Sequence, residues 1–224
     1  MNVTQDGLAE QRTDQWLMDR MGRLTASILY KATARTKKGE YYSGREEVMS
    51  DLMAERISLS IMPTFKSPAM QWGIDKEPVA RDAYSIHTGN TVVETGFIKH
   101  PTIKWFGASP DGLVNDDGGL EIKCPHTSEH LRNITTEEIK DEYIAQMYAG
   151  MLCTGRKWWD FVSFDPRIGG DLALWVCRIE LQDQLADYYL EEAEKFTTEL
   201  DQRCRNLLVK YPKTLEIYET NWSE

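Results

Sequence analysis

Along the first ninety residues, apolar side chains recur at the three-to-four spacing of amphipathic helices. Thr13-Asp-Gln-Trp-Leu-Met-Asp-Arg-Met reads as a short helix capped by Thr13 and ended by Gly22, and Thr25-Ala-Ser-Ile-Leu-Tyr opens another. Ala34 to Glu40 is polar and basic, which predicts a mobile loop. Helical spacing returns from Ser43 through Val48, Leu52, Met53 and Ile57. Ser67 is placed to cap a further helix through Met70, Trp72, Ala80 and Tyr84 to about His87, with Pro78 predicting a kink or break. The middle of the chain changes period. Thr91–Ile98, Lys104–Ala108, Gly119–Cys124, Lys157–Phe164 and Leu172–Ile179 are short and rich in β-formers. A helix from Thr136 to about Thr154 interrupts them, and a long one follows from about Gln182 to Val209. This order predicts an α/β fold with a mixed central sheet flanked by helices. No repeat or linker divides the chain, so a single domain over 1–224 is expected.

Composition narrows the class. Hydrophobic residues make up 41% and charged residues 28% of 224, values of an ordinary globule and not of a disordered chain. No apolar run approaches the roughly 20 residues that cross a bilayer, and the N-terminus lacks an apolar signal core. A cytoplasmic protein is expected, with no membrane partner. Cys124, Cys153, Cys177 and Cys204 lack zinc-type spacing and read as reduced, buried or half-buried thiols. The net charge of −10 argues against a protein coated with nucleic acid. It permits a locally basic channel inside an acidic exterior.

The chemistry concentrates between Phe106 and Pro125. Two strands joined at Asn115-Asp-Asp-Gly-Gly form a hairpin, with Pro110-Asp111 opening the first and Glu121-Ile-Lys123 in the second. Strand alternation sends Glu121 and Lys123 to one face and Ile122 to the other, towards a core. Asp111 sits across from them, so two carboxylates and an ammonium converge beside the Ile122 carbonyl. Hard oxygen donors suit Mg²⁺ or Mn²⁺ and not zinc. Two such ions and an ammonium can activate a water at a phosphodiester and offset the charge of its transition state. The plain rival is a cross-strand Glu–Lys ion pair on a solvated hairpin.

Pro110-Asp111 with Glu121-x-Lys123 matches the PD-(D/E)XK nuclease motif. The longer run Ser109-Pro-Asp-Gly-Leu to Lys123-Cys-Pro-His-Thr-Ser128 resembles the phage lambda exonuclease-like family of viral recombinases within that superfamily. Arg20-x-Gly22-x-x-Thr25-Ala-Ser27, Trp72-Gly73-x-x-x-Glu77, Tyr143-x-Ala145-Gln146 and Phe164-Asp-Pro-Arg167 extend the match in order over most of the chain. The resemblance implies a restriction-endonuclease-like core and a metal-dependent, processive 5′→3′ exonuclease on double-stranded DNA ends. It also implies a homotrimeric ring, a single-strand annealing protein as partner, and a phage or prophage product in a bacterial cytoplasm. By motif, Asp111, Glu121 and the Ile122 carbonyl hold Mg²⁺, with Glu77 near the second ion. Lys123 is then the catalytic lysine and Gln146 orients the water or a ligand. Arg20, Ser27 and Ser109 grip the 5′-phosphate, Arg35 follows the DNA, and Met70 is the strand-separating wedge.

The chain departs from the family twice. Glu129 stands where the family has a second phosphate-binding arginine, leaving His130 and Arg132 as substitutes. Pro68 occupies the place of a lysine before the wedge, and Lys66 lies near. Each candidate also has a bland reading. Glu77 fits a solvated helix acid, Gln146 an amide at the edge of a core, and Arg20 a partner for Asp14 or Asp19. Pro125 argues against a helix that would bring His126 and His130 together on a metal, and Trp158-Trp159 fits sheet packing better than base stacking. The rival functions are an endonuclease of the same superfamily and a catalytically silent DNA-end adaptor.

Overall fold

The Thr13 hydroxyl accepts the Trp16 N–H and starts helix α1, Asp14–Arg20; the chain then turns at Gly22, where φ is +65°. Strand β1, Leu24–Thr25, runs directly into α2, Ala26–Thr33. Helix α3 spans Gly44–Ser58, and α4 spans Pro68–Thr88, opened by the Ser67 cap and closed by Gly89 at φ +73°. The computed structural model describes residues 4, 6–63 and 67–222. Next come β2, Val92–Val93; β3, Ile98–Lys99; β4, Phe106–Ala108; β5, Gly112–Val114; and β6, Gly118–Lys123. Helices α5, Thr127–Thr136, and α6, Asp141–Thr154, cross over to β7, Trp158–Phe164. Strand β8, Leu174–Glu180, and helices α7, Asp183–Leu208, and α8, Pro212–Trp222, complete the chain.

Among the described residues the strands form two sheets. One has five strands in the order β2-β5-β6-β7-β8, in which only the β6–β7 pair is parallel. The other has three, β1-β4-β3, with β1 and β4 parallel. The mixed sheet expected from the sequence is therefore present, beside a smaller second sheet. Alternation along β6 and β7 divides the interior. Val114, Leu120, Ile122, Trp158, Val162 and Phe164 pack under Ala80 and Tyr84 of α4. Trp159 and Phe161 face the larger core built from α2, α3, α6, α7 and α8. Both faces of the central strands are thus covered, as a parallel pair requires.

The Gly118-Gly119 pair has a packing cause. In register these glycines lie opposite Trp158 and Trp159. A Cβ on Gly119 would come within 2.3 Å of the Trp159 ring, and one on Gly118 within 2.1 Å of Trp158. The indoles lie where side chains would otherwise stand, so Trp158-Trp159 is sheet packing, as expected. Gly119→Ala is predicted to cost about 1–3 kcal/mol through overpacking, read as a lower denaturant midpoint at unchanged slope.

Several expectations need correction. The helix expected over Thr136–Thr154 is two: Thr136 ends α5, Glu137 adopts φ +54°, and α6 begins at Asp141. Pro125 does not prevent α5, because it precedes the cap residue His126, outside the hydrogen-bonded ladder. Pro78 neither ends nor divides α4; its neighbours Ala80 and Tyr84 are fully buried, and that packing outweighs one missing hydrogen bond. Thr91–Ile98 is no single strand: its two ends pair in different sheets. Beyond Lys210, where the sequence reading names no element, the chain forms α8, whose Tyr218 and Trp222 are buried. The Ala34–Glu40 loop is a tight turn, closed by Thr36 N–H to the Glu40 carbonyl and an Arg35–Tyr41 bridge. The cysteines need no correction: all four are free thiols, Cys177 half-buried and the others buried, as expected.

Candidate active site

The site forms where the β5–β6 hairpin meets α4 and α6. Asp111 stands just before β5. Its N–H donates to the Leu120 carbonyl, its carbonyl accepts from Arg81 Nε at 2.9 Å, and its Oδ2 accepts the Ile122 N–H at 2.7 Å. Glu121 is only 2% exposed, and Lys123 Nζ donates to its Oε1 at 2.5 Å. The ion pair foreseen as the rival is therefore real, but it is within one strand and its carboxylate is buried. Glu121 pairs in register with Phe161, facing the large core, and that is why it is dry. Ile122 faces the α4 core, as expected.

Glu77, in the middle of α4, accepts from Arg12 and, at 2.8 Å, from Arg81 one turn on. Arg81 also pairs with Glu94 at 2.7 Å. One guanidinium thus ties Glu77 to the Asp111 backbone. Met70, Trp72, Glu77, Asp111, Lys123 and Tyr143 line a single cleft of about 710 Å³. Asp111, Lys123 and Glu77 therefore share one solvent space, while Glu121 lies buried behind Lys123.

The electrostatics show crowding of like charge. Burial and then the Glu121 charge push Asp111 well above the usual carboxylate range, with Lys123 opposing. Burial also raises Glu121, against the pull of Lys123, with Glu77 adding to the rise. Glu77 is raised by burial and by Asp111, against Arg12 and Arg81. Burial disfavours the Lys123 ammonium, but Glu121 and Asp111 outweigh it and hold its pKa above the ordinary lysine value. Among the described residues no three acidic, thiol or imidazole groups make a ready cage. Glu121 is engaged by Lys123, and Glu77 by the two arginines. The donor chemistry nonetheless fits a hard divalent cation: the acids are oxygen donors, mutually repelling and poorly hydrated. A cation would compete with the ammonium and guanidinium groups for those oxygens.

Three contributors receive no role from the sequence. Tyr143, stacked on Phe161 with centroids 5.5 Å apart, lies 5.0 Å beneath the Lys123 ammonium and holds it by a cation–π contact. Arg81 carries a legible signal, its i,i+4 spacing from Glu77. Arg12 carries none, because only the tertiary fold brings it to α4.

A second cluster flanks the first. Parallel pairing of β1 with β4 sets Thr25 against Gly107, so Ser27 and Ser109, each two residues on, emerge at the same end of that sheet. Arg20 Nη1 and Trp16 Nε1 both donate to Ser109 Oγ at 2.9 Å. The Arg20 guanidinium lies 4.3 Å from the Trp16 ring, and burial lowers its pKa to about 10. It makes no ion pair with Asp14 or Asp19 among the described residues. Ser27 is exposed, and its Oγ lies 3.2 Å from Thr25 Oγ1.

The remaining candidates fall variously. Gln146 is half-buried one turn beyond Tyr143, and no hydrogen bond of its amide is found among the described residues. Met70, 52% exposed, lines the cleft from the first turn of α4. Lys66 lies outside the described residues. Arg132 is exposed, 3.8 Å from Glu129, and borders a different hollow with Tyr30 and Lys140. His130 cannot be a phosphate ligand here. It is fully buried, with Nδ1 at 2.8 Å from Ser163 Oγ and Nε2 at 2.7 Å from the Leu172 carbonyl. Helix α5 turns it inward, while His126 caps the helix with its side chain on Ser128. Arg35 is no free contact for DNA either: it pairs at 2.9 Å with Glu192, itself 3% exposed, and stacks on Tyr41. Among the described residues, no helix is long and apolar enough to cross a membrane.

Comparison with known proteins then bears on this geometry. Residues 15–157 match the YqaJ-like viral recombinase domain. An alkaline exonuclease (LHK-Exo) from Laribacter hongkongensis is 42% identical in sequence, with a TM-score of 0.83 over 90% of this chain and 99% of that one. Its complex with dAMP matches at 41% identity over the same shares, also with a TM-score of 0.83. A phage-related exonuclease from Haemophilus somnus 129PT shares the fold at 15% identity, with a TM-score of 0.64 over 83% of this chain and 96% of that one. No curated protein matches the chain. With a family match over more than half its length and the PD-(D/E)XK fold of a 42%-identical exonuclease, the chain belongs to the YqaJ-like viral recombinase family.

Proposed function

We propose that the protein is a Mg²⁺-dependent exonuclease that degrades the 5′-ended strand of duplex DNA, processively from 5′ to 3′, to mononucleotides. It leaves a 3′ single-stranded tail for phage-type recombination. The observation that carries this reading is the Asp111–Glu121–Lys123 cluster, of which Asp111 and Lys123 open into one cleft with Glu77. Asp111, Glu121, the Ile122 carbonyl and Glu77 would hold Mg²⁺, with Mn²⁺ as a substitute. When bound, such an ion supplies Lewis acidity and neutralises charge at the scissile phosphate. Lys123, held between Glu121 and the Tyr143 face, presents a fixed ammonium to the phosphate, so little reorganisation is needed during reaction. Gln146, on the Tyr143 side of α6, is the candidate for orienting the attacking water. Arg20, fixed by Ser109 and stacked on Trp16, is a half-buried guanidinium suited to the kind of ligand it binds best, a terminal phosphate. Ser27 and Ser109 add hydroxyl donors. The family likeness extends the reading to a homotrimeric ring, a single-strand annealing partner and a bacterial cytoplasm.

Linear duplex carrying 5′-phosphate or 5′-hydroxyl, each strand labelled differently and digested with and without Mg²⁺, tests the whole reading. The expected result is Mg²⁺-dependent loss of the 5′-ended strand from phosphorylated ends, with a covalently closed circle left intact. Cutting of the circle would establish the endonuclease instead, and no release at all the silent adaptor. Arg20→Ala is expected to remove the preference for 5′-phosphate by about 10–100-fold, the worth of a hydrogen bond to a charged group. Hydroxyl-ended substrate should be cut at the parent rate, which separates lost recognition from lost folding.

A further inference from the structure

The Phe164-Asp165-Pro166-Arg167 run has no part in the steps above. Asp165, directly after β7, is fully buried, accepts Thr127 Oγ1 at 2.6 Å, and receives Arg167 Nε at 2.7 Å and Nη2 at 3.1 Å. Arg167 Nη2 also donates to the Pro125 carbonyl at 2.9 Å. Two guanidinium nitrogens are thereby fixed, while Nη1 makes no hydrogen bond among the described residues. The side chain stays 40% exposed, and its guanidinium lies 4.6 Å from the Trp72 ring centroid. The Lys76 ammonium lies 5.0 Å from the same ring. Trp72 Nε1 is buried and finds no acceptor among the described residues. Arg167 and Trp72 line the same cleft as Asp111 and Lys123.

We propose that Arg167 and Trp72, supported by Lys76, form a subsite for a backbone phosphate of the strand being degraded, beside the phosphate that is cut. This rests on the nuclease reading above. Arg167 brings a cation to this wall of the cleft, with Lys76 against the same indole, although the chain as a whole is acidic. A guanidinium pinned on one edge by a buried acid loses little freedom when its open edge meets a phosphate. The indole beneath offers apolar surface for the adjoining sugar or base.

Affinity without cleavage separates this subsite from the catalytic step. Fluorescence anisotropy of a 5′-phosphorylated duplex with a short 3′ overhang, titrated in EDTA over a range of salt, is the measurement. Arg167→Ala is expected to raise Kd about 10-fold and to flatten the log Kd against log salt slope by about 0.7–0.9, the share of one phosphate. Arg167→Lys should restore the slope but not the full affinity, having charge without the fork. Thr127→Val loosens the Asp165 anchor and leaves Arg167 in place; it should lower the melting temperature and keep the salt slope. Parental Kd and slope in Arg167→Ala, or the same slope change in Thr127→Val, would overturn the proposal and leave Arg167 a staple of α5. A parent protein that binds this DNA but releases no nucleotide with Mg²⁺ would refute the nuclease reading alone.

Discussion

A Lys123→Met protein should release nucleotides from linear duplex about 10²–10³ times more slowly than its parent, the usual cost of deleting one preorganised electrostatic group. The ammonium touches Glu121 and sits over Tyr143, so its position is set before substrate arrives. The same substitution also leaves Glu121, 2% exposed, without its counter-charge. Breaking a buried pair from one side costs about 3–5 kcal/mol, unless the acid takes up a proton. Lower activity alone is therefore ambiguous, and the double variant Glu121→Gln/Lys123→Met resolves it. With both charges gone, the stability penalty should largely disappear while the rate stays low. Thermal unfolding of the two single variants and the double, set beside initial rates on duplex DNA, checks both halves. A Lys123→Met protein with the parent's rate would end the case for a catalytic lysine.

Asp111→Asn should abolish detectable cleavage and yet make the chelated protein more stable at pH 8. The sign follows from the direction of the shifts. Asp111, Glu121 and Glu77 each have a folded pKa above the unfolded value. Such acids favour the fold in their protonated form, so their contribution is complete below about pH 4 and is lost as pH rises through the raised folded values. In EDTA the parent should therefore lose melting temperature between about pH 5 and pH 8 from this cluster. Mg²⁺ should restore it more at pH 8 than at pH 5, because binding requires ionised oxygens. The substitution removes one repelling charge, while the oxygen of the new amide can still accept the Ile122 N–H. Both the pH-dependent loss and the Mg²⁺ gain should therefore shrink. Scanning calorimetry at the two pH values, with EDTA or Mg²⁺, makes the comparison. Equal Mg²⁺ stabilisation at both pH values would show that these acids do not take up the ion.

Much of the scaffold is legible in advance, because its signals are local. Thr13 and Ser67 are helix caps whose hydroxyls bond within their own first turn. The long helix from Gln182 to Val209 follows from uninterrupted apolar spacing, and its observed core, Asp183–Leu208, differs by one residue at each end. The hairpin signal at Asn115 holds, with Asn115 itself at φ +46°. Where local signals are weak or equivocal, the reading fails. A proline before a cap reads like a helix breaker, which hides α5 and makes His130 look like a surface residue. Helix α8 begins at Pro212, and its buried Tyr218 and Trp222 belong to a core assembled from distant segments.

Residue identity and spacing along the chain alone determined the helix caps at Thr13 and Ser67, the hairpin, and the meeting of Asp111 with Glu121 and Lys123, because all of these lie within one turn or one strand pair. Tertiary structure decided the rest. It buried both faces of β6, closed Glu121 under α6, and delivered Arg12 to Glu77 and Trp72 to Arg167 across long sequence separations. Those separations are why: a contact between distant segments depends on how whole layers pack, and no periodicity in either segment records its partner. Charge followed the same rule. That Arg35 answers to Glu192, and Arg20 to the Ser109 hydroxyl, is a property of burial and neighbours that the fold alone supplies.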